Sequence, residues 1–116
     1  MKLPNVEQAV VPRAKVLEYL LSDVHRDGRG KARFFRSYGF GRAEWERLAG
    51  ALLRHAIVNP VLRTVETEFG TRYVIDGALE TPDGRFPGVR TVWFLRTGSS
   101  APELVTAYPI GRRSKR

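Results

Sequence analysis

Two parts of the 116-residue chain carry side chains able to hold or break a phosphodiester. The first is Gly28 to Tyr38, GRGKARFFRSY, with the loop before it. It offers His25, Arg29, Lys31, Arg33 and Arg36, interleaved with Phe34, Phe35 and Tyr38. The second lies late in the chain: Arg90 or Thr91, then Thr106 and Tyr108. Lys and Arg hold phosphate or stabilise a charged transition state. Tyr stacks on a base or donates a proton. Cleavage of RNA through its 2′-hydroxyl needs one group to take a proton and another to give one, and histidine suits that work at neutral pH. The catalytic candidates are therefore Lys31, Arg90, Tyr108 and His25. Arg29, Arg33, Arg36 and Thr106 are the candidate nucleic-acid contacts. The plainer alternatives are a solvent-exposed loop histidine and an ordinary solvated basic surface. His55 reads as structural, at a helix C-terminus where a cation is favourable.

Several chemistries are excluded or disfavoured. Cysteine is absent and only two histidines occur, so thiol nucleophiles and cysteine-ligated zinc are ruled out. No HxxxH, P-loop, GxGxxG or GxSxG spacing occurs, and no cofactor or metal is expected. The net charge is +8, and it is localised. Residues 26–36 carry five Lys/Arg against Asp27, residues 112–116 carry four more, and the remainder sums to zero. Clustered cations point to a polyanionic partner, either nucleic acid or an acidic protein. No run of about 18 apolar residues exists to span a membrane. The first residues, MKLPNVEQAVV, lack a signal-peptide h-region, which predicts a cytoplasmic protein.

The elements that must position these groups follow from periodicity. Pro12 suits a helix start. Arg13–Leu21 reads as helix one, with Val16, Leu17, Leu20 and Leu21 on one face. Lys31–Tyr38 reads as helix two, with Gly39 as its C-terminal cap. In it Phe34, Phe35 and Tyr38 share one stripe, and Arg29, Arg33 and Arg36 another. Arg42–Ala56, capped by Gly41, is helix three. After Asn59-Pro60 the period changes to two. Val61–Phe69, Arg72–Leu79, Val89–Arg96 and Leu104–Tyr108 read as strands, the first with Val61, Val65 and Phe69 on one side. Pro82-Asp83-Gly84 is a turn. Ala9-Val10-Val11 is an edge strand or a packed arm. Helices followed by strands argue α+β: three N-terminal helices on one face of a four-stranded antiparallel meander. Residues 1–110 form one domain, and 111–116 a basic, disordered tail.

The segments GRGKARFFRSYGF, ETEFGTRYVIDGALETPDGR and VRTVWFLRTGSSAPELVTAYP resemble an uncharacterised bacterial domain family, over nearly the whole chain. Its members look like short stand-alone proteins or C-terminal modules of polymorphic-toxin and phage-associated proteins. The helices-then-sheet order also resembles the Barnase–EndoU–Colicin–RelE superfamily of ribonuclease toxins. That resemblance implies metal-independent RNA cleavage at Lys31, Arg33, Arg90, Thr106 and Tyr108. It also implies a Ser or His where Gly30 stands, which this chain lacks. The expected function is a ribonuclease-like toxin of a toxin–antitoxin or polymorphic-toxin system, with RNA as substrate and a small acidic antitoxin-like protein as partner. The alternative is a non-catalytic nucleic-acid-binding or protein-interaction module using the basic helix 31–38.

Overall fold

A computed structural model describes residues 1–111. The expectation of a disordered basic tail falls almost wholly on residues 112–116, outside the described residues. Three helices precede four strands: α1 (Arg13–Lys15), α2 (Arg29–Ser37) and α3 (Trp45–Val58), then β1 (Val61–Thr67), β2 (Gly70–Ala78), β3 (Gly88–Arg96) and β4 (Glu103–Pro109). The sheet is an antiparallel meander in the order β1-β2-β3-β4.

Helix one departs from the expected regular helix. After α1 the chain enters a π-helical turn, Val16–Leu20, which Leu21 N–H closes on Val16 O at 2.8 Å. The wider turn lets Val16, Leu20 and Leu21 all be fully buried while Tyr19 reaches the edge of β4. Arg42 donates to the carbonyls of Leu17 and Leu21 at its end. It thereby satisfies groups that a helix terminus leaves without partners. α2 buries Ala32 and Phe35 and ends at Gly39, whose φ of 102° is the left-handed cap geometry. The turn at Pro82–Gly84 docks on that end: Arg85 donates to Ser37 O at 2.8 Å and lies 4.1 Å from the Tyr38 ring centre. α3 starts later than expected, with Glu44 and not Gly41 at its N-terminus, and buries Leu48, Leu52 and Ala56.

The inner sheet face presents Tyr73, Ile75, Val89, Trp93, Leu104 and Ala107 to the helices, and these make the core. The outer face carries Arg72, Val74 and Asp76 of β2 against Phe94, Val92 and Arg90 of β3. β1 corrects an expectation. A bulge between Val61 and Arg63 breaks its alternation. Val61 stays inward beside Ile75, whereas Val65 pairs with Arg72 on the outer face and Phe69 is 64% exposed in the following turn. One extra residue in a strand shifts every later side chain to the other face.

Residues 1–10 form a strap between the two sheet edges. Val61 of β1 donates to Met1 O at 2.6 Å, and Val10 makes a parallel bridge to Glu103 of β4. Between them, Leu3 is buried and Val6 and Ala9 pack on the core.

Candidate functional site

Tyr19 gathers side chains from four places in the chain. Its hydroxyl lies 3.0 Å from Thr106 Oγ1 on β4. Its ring meets His25 edge-on, with centres 4.8 Å apart. Lys15 Nζ lies 5.3 Å and Lys31 Nζ 5.1 Å from the ring centre, within cation–π range. All five residues are half-buried. The cluster sits where the π-helical turn crosses the β4 edge.

The loop between Leu21 and α2 is held by its own polar side chains. Buried Ser22 Oγ accepts the N–H groups of Val24 and His25, at 3.2 and 3.0 Å. His25 Nδ1 accepts those of Asp27 and Gly28, at 3.0 and 3.1 Å. With Nδ1 receiving donors, the neutral ring carries its proton on Nε2. His25 is then a donor at Nε2. Gly28 fits because a Cβ there would lie 2.1 Å from Tyr19 O. That close approach presses the loop against the turn and carries Lys31 into place. Lys31 Nζ also donates to Asp27 O at 3.0 Å.

Arg90 and Tyr108 are cross-strand partners on the outer face, beside the Val92–Thr106 pair. Arg90 is committed elsewhere: its Nε and NH2 donate to both oxygens of Asp76, at 2.7 and 2.8 Å. This bidentate pair raises the pKa of Arg90, helped by its bond to Tyr108, and lowers that of Asp76. The guanidinium is neutralised by the carboxylate, so its geometry suits holding Tyr108 better than gripping a phosphate. Thr91 faces the core and is fully buried.

Arg29, Arg33 and Arg36 do not join Lys31. They line a separate hollow of about 450 Å³ with Asp23 and Ser37 on the outer side of α2, and Arg36 pairs with Asp23. The structure therefore brings Lys31, His25 and Thr106 around Tyr19, sets Arg90 and Tyr108 one step along the same strands, and turns the three arginines away.

A sequence profile described as a domain of unknown function (DUF6883) matches residues 2–111. The chain belongs to this family. No curated protein matches it significantly. Among solved structures, the DUF6883 chain is similar to a chain of a contact-dependent growth inhibition toxin–immunity protein complex from Klebsiella pneumoniae 342. The two share 14% identity at a TM-score of 0.73, over 93% of this chain and 98% of that one. At that identity the likeness is one of fold.

His55 has the structural role expected of it but not the expected charge. It is 2% exposed within the DUF6883 core. Nε2–H donates to Val89 O at 2.9 Å and Gly77 O at 3.2 Å, and Nδ1 accepts from Thr91 Oγ1 at 3.2 Å. Trp93 Nε1 donates in turn to Thr91 Oγ1 at 2.9 Å. Burial lowers the imidazole pKa against the opposing pull of the two carbonyls and Asp76. Desolvation outweighs these pulls and favours the neutral ring. Among the described residues no three His, Asp or Glu side chains gather to hold a metal. No helix there is long and apolar enough to cross a membrane.

Sequence reasoning passed over Tyr19 and Lys15. Their four-residue spacing puts them on one side of a helix, but attention to the apolar face of helix one hid it.

Proposed function

We propose that this chain is a metal-independent ribonuclease module of a bacterial toxin, with its reaction centre at the Tyr19 cluster. The observation that carries this reading is the convergence of Lys15, Lys31, His25 and Thr106 on Tyr19 at the β4 edge. The group is rich in donors: two ammonium groups, a phenol, a threonine hydroxyl and the Nε2–H of His25. Donors fixed in a half-buried site stabilise charge that develops on a phosphoryl group in the transition state. In the proposed reaction the 2′-hydroxyl of RNA gives its proton to solvent and attacks the adjacent phosphorus. The 5′-oxygen leaves with the phenolic proton of Tyr19, which solvent replaces, and a 2′,3′-cyclic phosphate results. Arg90, held by Asp76, positions Tyr108 beside this centre. The fold shared with a chain of a toxin–immunity complex supports the toxin reading. It also supports a small protein partner, for which an acidic inhibitor fits the +8 charge.

Purified protein incubated with total RNA in excess EDTA should cleave it, and Lys31→Ala should slow cleavage about 100-fold, in the range typical of a lost charge-stabilising donor. Tyr19→Phe should slow it similarly with little change in RNA binding. Folded protein that retains RNA but leaves it intact would remove the enzymatic reading in favour of a binding module.

A further inference from the structure

The outer sheet face carries a groove of about 310 Å³ next to the Tyr19 cluster. Lys15, Arg72, Phe94, Arg96 and Glu103 line it, along with small and aliphatic groups near the β3–β4 turn. Lys15 belongs to both sites, since the same ammonium lies over the Tyr19 ring. Three features suggest a ligand. First, Lys15, Arg72 and Arg96 make no ion pair among the described residues, whereas Arg36, Arg54, Arg85 and Arg90 each do. Second, Phe94 is half-exposed on the groove wall, with the Arg96 guanidinium 5.8 Å from its ring centre. Third, the ring has room to lie there because Gly70 has no side chain. A Cβ at Gly70 would come within 2.9 Å of Phe94 Cζ.

We infer that this groove binds the nucleotide adjoining the scissile phosphate, with its base on Phe94 and its phosphate among Lys15, Arg72 and Arg96. The inference rests on the ribonuclease reading for the position of the cut. Uncommitted cations tracking a backbone beside an aromatic platform are the arrangement by which single strands are held without regard to sequence.

The test uses a fluorescein-labelled 2′-O-methyl pentanucleotide, which has no free 2′-hydroxyl and cannot be cut by the proposed route. Phe94→Leu should weaken binding about tenfold, within the range for loss of one base–aromatic stack. It should have no effect on one member of a series in which each base is deleted in turn. Arg96→Ala, at an exposed position, should reduce the dependence of log affinity on log salt by roughly 0.7. Wild-type affinity in both variants, or a Phe94→Leu loss equal across every base-deleted strand, would overturn the proposal. Cleavage of unmodified RNA is scored separately. An uncleaved RNA with a Phe94-dependent pentanucleotide affinity overturns the ribonuclease reading and leaves the binding groove standing.

Discussion

The two histidines show how hydrogen bonding sets what one ring can do. In His25, Nδ1 accepts two backbone N–H groups of its own loop; in His55, Nδ1 accepts a threonine hydroxyl and Nε2–H is held by two carbonyls. Because burial lowers the His55 pKa below 6.5, the unfolded chain takes up a proton before the folded one as pH falls. The stability contributed by the neutral ring is complete above pH 6.5 and is lost as pH falls from there through the folded pKa. Asp76 adds a second window: its pKa lies below 3.8 in the fold, so its contribution is present above 3.8 and is lost as pH drops through the folded value. Urea denaturation across this range should show a decline beginning below pH 6.5 in the wild type and a smaller one in His55→Gln. At neutral pH that substitution should cost about 2 kcal/mol, the scale of a buried network left short of partners.

The π-helical turn and the loop after it explain why the cluster was hard to see in advance. Val16, Leu17, Leu20 and Leu21 fit a regular helix as well as a widened one, so their spacing does not reveal the Leu21-to-Val16 closure or the Tyr19–Thr106 contact. Strand boundaries, by contrast, were legible to within about two residues, since turns at Gly70, Pro82–Gly84 and Gly98 punctuate a clear alternation. The β1 bulge was not, because it depends on register against β2. Arg42 gives this region a direct test. It is exposed, yet it binds the carbonyls of Leu17 and Leu21 that end the turn carrying Tyr19. Arg42→Ala should cost about 1 kcal/mol of global stability. It should also speed hydrogen exchange at Leu21 and Ser22 more than at α3 amides. Uniform exchange across both segments would show that Arg42 does not hold the turn.

The α+β order and the meander could be read from pattern alone, because helices precede strands without interruption. The site was legible only in part. Charge arithmetic located surplus cations in residues 26–36, and helical spacing separated Arg29, Arg33 and Arg36 from the aromatic stripe. Neither could show that Lys31 would meet Tyr19, which depends on how the loop folds back, or that Asp76 would take up Arg90, which depends on the β2–β3 register. The strap formed by residues 1–10 has the same character. Deleting residues 1–10 removes Leu3, Val6 and Ala9 from the core and uncovers the backbone at both sheet edges. The shortened chain should lose several kcal/mol and melt at least about 10 °C lower by circular dichroism; an unchanged midpoint would mean the strap adds nothing.

That strap also bears on how the protein is made. The strap is translated before both of its anchors, β1 first and Glu103 of β4 well after it. Native docking of residues 1–10 must therefore wait for β4 to emerge, and closure of this rim comes late in the folding of the sheet.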